Sequence, residues 1–204
     1  MNQQQFQKAA GISAGLAARW FPHIDAAMSQ FGISAVEDTA MFIAQAGHES
    51  SGFTLLVESF NYSVDGLKKT FGHRLTDYQC EMLGRVPGKQ VAHQPQIANI
   101  VYGGRNGNKA PGDGWRYRGR GLLQITGREN YAKCGGAMGI ELLDAPELLE
   151  QERYAARSAA WFYTTRGCML YSGDIARVTK IINGGLNGLE DRRSRYAAAR
   201  AALA

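Results

Sequence analysis

Glu49 and Glu58 lie nine positions apart, each beside apolar sequence, and a pair of carboxyl groups is the simplest equipment for general acid/base chemistry. Glu49 falls in "AQAGHES" (44–50), at the end of a run in which Val36, Ala40, Ile43 and Gly47 recur at helical spacing and which Ser50-Ser51-Gly52 stops. A carboxylate in the last turn faces the negative end of the helix dipole, which disfavours ionisation and is expected to push its pKa upward. A proton donor needs that environment. A terminal Glu that simply points into water satisfies the same pattern, so position alone does not choose. Glu58 sits inside "LLVESFNYS" (55–63), between two apolar stretches, where a half-buried carboxylate needs a partner or a function.

Two further stretches carry polar groups at regular spacing. In "DGWRYRGRGLLQITGRENY" (113–131), period-two alternation puts Arg116, Arg118, Arg120, Leu122, Gln124 and Thr126 on one face, and Trp115, Tyr117, Leu123 and Ile125 on the other. Aromatics alternating with arginines also suit a single-stranded nucleic-acid platform. Leu123 and Ile125 point instead to core. "TGRE" has the spacing of a capping box, with Thr126 as N-cap and Glu129 three residues on. In "IINGGLNGLEDRRSRY" (181–196), Asn183-Gly184-Gly185 is an ordinary helix C-terminus, because Asn and Gly tolerate the left-handed conformation. Arg192 and Arg193 read by default as solvated residues on the last helix.

The elements that must position these groups are helices joined by Gly-rich turns. The pattern predicts helices over about 13–30, 35–50, 63–71, 76–84, 127–134, 145–165, 174–182 and 188–202. Ser34 and Glu37 have capping-box spacing at the start of the second, and Asp144-Ala-Pro146 and Gly167 bracket the Ala-rich 145–165 helix, expected to be the central one. Residues 85–114 read as a loop-rich segment with one short helix. The region from about 72 to 112 is taken as a minor lobe or flap within a single domain spanning 1–204.

At 204 residues and 45% hydrophobic content the chain can bury a core, and a formal charge of +5 suggests an anionic partner such as nucleic acid, a lipid surface or an acidic polymer. Cys80, Cys134 and Cys168 are too few and too scattered for a disulfide framework, and suggest synthesis in a reducing compartment. The four histidines lack ligand spacing, so no metal is expected. The N-terminus is too thin in apolar residues for a signal peptide, and no run is long enough for a membrane helix.

Taken together, "GHES" (47–50), "ESFNYS" (58–63), "YGGRNGN" (102–108), "RYRGRGLLQITGRENY" (116–131) and "IINGGLNG" followed by "DRRSRY" (181–196) resemble glycoside hydrolase family 19, the chitinase-like glycosidases, and in particular its phage and prophage endolysin branch. The resemblance implies an all-α, lysozyme-like fold with two lobes flanking a sugar-binding cleft. It implies Glu49 as general acid and Thr126 as the residue that positions the attacking water. It implies Gln124 and Asn130 as cleft-lining residues, Asn183 as a sugar-binding residue and Arg192 as the arginine of the C-terminal motif. Glu58 matches the endolysin-type "E-x-x-NYS" pattern as base, with Tyr62 of that pattern as a substrate contact; in the chitinases the second Glu lies well downstream of the first.

The implied activity is hydrolysis of peptidoglycan glycan strands by a lysozyme-type endolysin, with inversion requiring carboxyls roughly 6.5–9.5 Å apart to admit water. Glu49 would stay protonated and Glu58, in a more polar site, ionised. Chitin hydrolysis and a catalytically silent wall-binding or nucleic-acid-binding protein are the competing readings. The expectation is a monomer without cofactor, metal or nucleic acid. It is made in the bacterial cytoplasm and reaches the periplasm and wall through a separate holin-type, membrane-permeabilising partner.

Overall fold

Short polar residues just before helical runs start five of the eleven helices. In the computed structural model, which describes residues 1–204, the chain is 61% helical with no sheet. The helices are α1 (Gln3–Ala10), α2 (Ala14–Gln30), α3 (Val36–Glu49), α4 (Val64–Phe71), α5 (Asp77–Leu83), α6 (Gln94–Tyr102), α7 (Asp113–Arg116), α8 (Arg128–Met138), α9 (Glu152–Thr165), α10 (Ile175–Asn183) and α11 (Leu189–Leu203). Asn2, Ser13, Ser63, Thr76 and Asp174 cap α1, α2, α4, α5 and α10 through side-chain oxygens that accept free N–H groups. None is long and apolar enough to cross a membrane.

Several expectations need correction. The N-terminal stretch, where no helix is expected before about residue 13, forms α1, because Asn2 and Gln5 make a reciprocal capping box and Phe6, Ala9 and Ala10 are buried. The expected helix over 145–165 is broken at Gln151 into a 3-10 turn, Pro146–Glu150, and α9. The most enclosed helix is α3, in which every residue from Asp38 to Gly47 is buried. Ser34 caps nothing: the N-cap of α3 is Ala35, and Glu37 pairs with Arg200 of α11.

Nor does Thr126 cap α8. The N-cap is Gly127, and the free N–H groups of Arg128 and Glu129 donate to Asn108 Oδ1 (2.8 Å) and the Asn106 carbonyl (2.9 Å). The "YGGRNGN" loop thus caps the helix from another part of the chain. Gly107 (φ +82°) permits the approach, since a Cβ there would lie 2.9 Å from Glu129 Cβ.

Three apolar clusters hold the helices. The main one includes Phe6, Trp20, Ile24, Phe42, Phe53 and Tyr163. A smaller one joins Phe60 and Leu67 to Cys80, Ile97, Ala98 and Val101, and a third centres on Tyr131, Cys134 and Leu149. All three cysteines are free and buried.

The expected basic face of 116–126 does not form, because the stretch has no regular strand. Arg120 is buried, bonding Glu150 (2.7 Å), the Arg116 carbonyl (2.7 Å) and the Tyr131 hydroxyl (3.1 Å). Arg116 donates to the Leu143 and Asp144 carbonyls. These guanidiniums tie the hairpin of residues 120–125 to its surroundings.

At Gly114 a Cβ would lie 2.5 Å from the Ala98 carbonyl and 2.7 Å from Asn99 Cα, both backbone atoms. Gly114→Ala must therefore force α6 and α7 apart, and is expected to lower stability by about 1–3 kcal/mol in urea unfolding. An unchanged midpoint would show that the two helices are not locked at this contact.

Candidate active site

Glu49 is fixed by the turn directly after it. Ser51, Gly52 and Phe53 all have left-handed φ values (51°, 74° and 65°), a strained reversal at the end of α3. Ser50 Oγ holds it by donating to the Ala46 carbonyl (2.6 Å) and accepting from Phe53 N–H (2.9 Å). The Phe53 carbonyl accepts the Trp20 indole N–H (3.0 Å), and its ring meets Phe6 edge-on at 5.6 Å.

On its other side Glu49 pairs with Arg192 of α11, whose side chain is 0% exposed against 22% for Glu49. Arg192 also donates to Gln45 Oε1, one turn back on α3, and to the Asn187 carbonyl (3.2 Å), while Gln45 Nε2 bonds Thr179 Oγ1 (3.2 Å) on α10. The dipole expected to act on Glu49 is therefore opposed by a full positive charge in contact. Arg192, expected on the surface and as a substrate contact, has no exposed surface to offer a sugar; Arg193 is the solvated one, paired with Glu190. Beside this, His48 bonds Asp191 (2.7 Å), whose carboxyl is held below its usual range by His48 and then Arg195.

Glu58 is held on a backbone pairing. Its N–H donates to the Gly119 carbonyl (2.9 Å) and Gly119 N–H returns to Glu58 Oε2 (3.1 Å). The Tyr102 hydroxyl donates to both carboxyl oxygens, at 2.8 and 3.0 Å. Burial pushes the Glu58 carboxyl above the usual range, and the Tyr102 bond, the Gly119 N–H and the Arg118 charge offset part of that rise. This reverses the expectation of a polar site around Glu58: the carboxyl is desolvated and its donors compensate only partly. Arg118 lies with its guanidinium 3.7 Å above the Trp115 ring, and burial holds its own pKa down.

The other candidates fall in three places. Gln124 lies against Gly119 beside the Glu58 carboxyl, and a Cβ on Gly119 would run into both. Thr126 and Asn130 share a small recess with Gln124, Trp161 and Arg166, and Asn130 Nδ2 donates to the Thr126 carbonyl (2.7 Å). Tyr62 packs edge-on against Phe71 at 5.3 Å, and its phenol is raised by burial and then by the Glu58 charge. Asn183 is exposed at the end of α10, before Gly184 (φ +78°). Two partners escape a reading of the sequence: Tyr102, the first residue of "YGGRNGN", and Gln45, which shares a helix face with Glu49 at i, i+4. No cluster of three His, Cys, Asp or Glu side chains is placed to hold a metal ion.

Removing the buried guanidinium leaves Gln45 and Glu49 without their common donor. Arg192→Ala is expected to cost about 3–5 kcal/mol of folding free energy, and Arg192→Lys to recover only part of it, because an ammonium cannot fork between the two. Thermal or urea unfolding of both variants checks this, and equal stability of wild type and Arg192→Ala would refute it.

The family described as "Chitinase class I" matches residues 94–175. The chain is 35% identical over 189 residues to a glycosyl hydrolase family 19 domain-containing protein of Haemophilus influenzae, spanning 87% of this chain and 90% of that protein. It is 28% identical over 171 residues to endochitinase CH5B of Phaseolus vulgaris, spanning 73% of this chain and 45% of the bean protein. Among solved structures, a bacterial family 19 chitinase superposes with a TM-score of 0.63 at 20% identity, covering 99% of this chain and 94% of that one. Chitinase C from Streptomyces griseus superposes with a TM-score of 0.60 at 18% identity, covering 99% and 76%. At these identities the superpositions show a common fold, the helical lysozyme-like one. The identity to the Haemophilus protein, sustained along nearly all of both chains, shows more: this chain belongs to glycosyl hydrolase family 19 and is a glycoside hydrolase.

Proposed function

We propose that the chain is an endolysin that hydrolyses the glycan strands of bacterial peptidoglycan, with Glu49 as general acid and Glu58 as general base. The observation that carries the acid/base reading is that both carboxyls are held by fixed donors, Glu49 by Arg192 and Glu58 by Tyr102 and Gly119, while the division of roles follows the motif resemblance. Glu49 faces a fixed guanidinium, which stabilises the carboxylate formed as the proton leaves for the glycosidic oxygen. Glu58 is desolvated, which raises its proton affinity toward the working pH of a base, while Tyr102 and Gly119 donate to the ionised form. Thr126 orients the attacking water, and Gln124, Asn130, Tyr62 and Asn183 contact the sugars. The wall substrate is supported by the motif resemblance to the endolysin branch and by the formal charge of +5. Release through a separate membrane-permeabilising partner completes the reading. Chitin is the second reading, favoured by the names of the bean and Streptomyces relatives.

Purified sacculi digested by wild type, Glu49→Gln and Glu58→Gln, with borohydride reduction and mass spectrometry of the products, test the proposal. New reduced muramic acid ends are expected from the wild type, with each variant slower by about 10²–10⁴-fold. Anhydro ends would replace hydrolysis by a transglycosylase reaction, and ends from chitin oligomers alone would select the second reading. Azide separates the roles. It can take the place of the activated water, so it should restore turnover to Glu58→Ala and release a glycosyl azide, and leave Glu49→Ala inactive; the opposite pattern would exchange acid and base.

The pH profile is set by the Glu58 environment. A base must be ionised, so activity should fall on the acid side at a pH above the ordinary Glu value of about 4.3. Tyr102→Phe removes a hydrogen bond that holds the Glu58 carboxyl down, and should move this limb of kcat/KM further toward neutral pH. A limb unmoved, or moved downward, would show that Glu58 is not the group titrating there.

A further inference from the structure

The positive charge of this protein is unevenly placed. Residues 61–112, about a quarter of the chain, carry seven Lys or Arg against three Asp or Glu, a net +4 of the formal +5. Two of those three acids, Asp77 and Glu81, are engaged by Lys68. The other six cations, Lys69, Arg74, Arg85, Lys89, Arg105 and Lys109, are all exposed and none is paired with a carboxylate. Elsewhere nine of the thirteen arginines are tied to the protein itself, Arg19, Arg120, Arg192, Arg193, Arg195 and Arg200 by ion pairs and Arg116, Arg118 and Arg157 by hydrogen bonds.

Two of the free cations sit on backbone tied to residues around Glu58. Arg85 is bridged to Ser63 and its N–H donates to the Tyr62 carbonyl (2.8 Å), on the segment that runs on from Glu58. Arg105 lies just past Tyr102 in the turn after α6 and its N–H returns to the Tyr102 carbonyl (3.3 Å), while the Tyr102 hydroxyl holds Glu58. The backbone that carries these two exposed cations is thus tied to the segment that follows Glu58 and to the residue that bonds its carboxyl.

Resting on the peptidoglycan reading above, we propose that residues 61–112, a lobe packed on the Phe60, Leu67 and Val101 cluster and wider than the expected 72–112, form a carboxylate-reading surface. Its unpaired cations engage the stem-peptide carboxylates that hang from a peptidoglycan strand, and so select that strand over an uncharged N-acetylglucosamine polymer. Unpaired exposed cations raise the local concentration of an anionic polymer and steer its approach, an effect that salt screens. The rival occupant is an anionic bilayer, since the lobe also exposes Tyr78, Met82 and Val91. The backbone ties of Arg85 to Tyr62 and of Arg105 to Tyr102, close in the chain and in bonding to Glu58, favour the substrate itself.

The test compares native sacculi with sacculi whose stem carboxylates have been converted to methylamides, so that the glycan is the same and only the charge differs. At about 0.01 M salt the wild type should prefer native sacculi by about tenfold in kcat/KM, and the preference should shrink at about 0.15 M. In Lys69→Gln/Arg74→Gln/Arg85→Gln/Lys89→Gln, its fold checked by circular dichroism, the ratio should approach one. The smaller Arg85→Glu/Lys89→Glu variant should favour the methylamidated sacculi. A preference equal to that of the wild type in both variants would overturn the proposal. So would loss of sedimentation with phosphatidylglycerol vesicles while the sacculus preference persists, which would assign the lobe to a bilayer. Wild-type enzyme that releases no ends from either sacculus would remove the peptidoglycan reading itself, a different failure.

Discussion

A buried guanidinium must be satisfied on every side, and in this protein the groups that satisfy Arg192 come from separate elements: Glu49 and Gln45 from α3, and the Asn187 carbonyl from the turn before α11. Gln45 extends the link to Thr179 of α10. The interaction joins the most enclosed helix to the C-terminal helix at the residue proposed to deliver a proton. A buried charge pair contributes little net stability, yet losing one member is expensive, so the packing of α11 and the orientation of the Glu49 carboxyl depend on the same contact. The left-handed turn at 51–53, pinned by Ser50 and by the Trp20 bond to Phe53, prevents α3 from continuing past Glu49.

Glu58 depends on a different kind of support. No cation is in contact with it; a phenol and a backbone N–H hold it, on a segment paired with Gly119. The two carboxyls are thus held differently, one in contact with a fixed charge and the other desolvated among neutral donors. Tyr102 ends α6 and its carbonyl accepts from Asn108 of the loop that caps α8, so the donor to Glu58 and the start of the helix after Thr126 share one support.

Charge shows the same division of labour. The arginines of 116–120 satisfy interior carbonyls and carboxylates, whereas those of 61–112 remain in solvent. Composition gives the same +5 for either distribution, and only placement separates a structural guanidinium from one that can meet a ligand.

The sequence by itself determined the helical class and the family, because helical periodicity, Gly stops and motif order are local properties of the chain. Gly184, for instance, ends α10 as its left-handed tolerance requires. Caps were less legible: Ser34 and Thr126 have capping spacing, but Ala35 and Gly127 are the N-caps, and the α8 donors bond to a loop twenty residues away in sequence. The protonation environments were not legible at all. The dipole on Glu49 is local, but the Arg192 charge that opposes it comes from 143 residues away, and the burial of Glu58 arises from 102 and 119 folding over it. Coulomb energy and desolvation depend on distance through space and on exclusion of water, and both are set only when the chain has closed on itself.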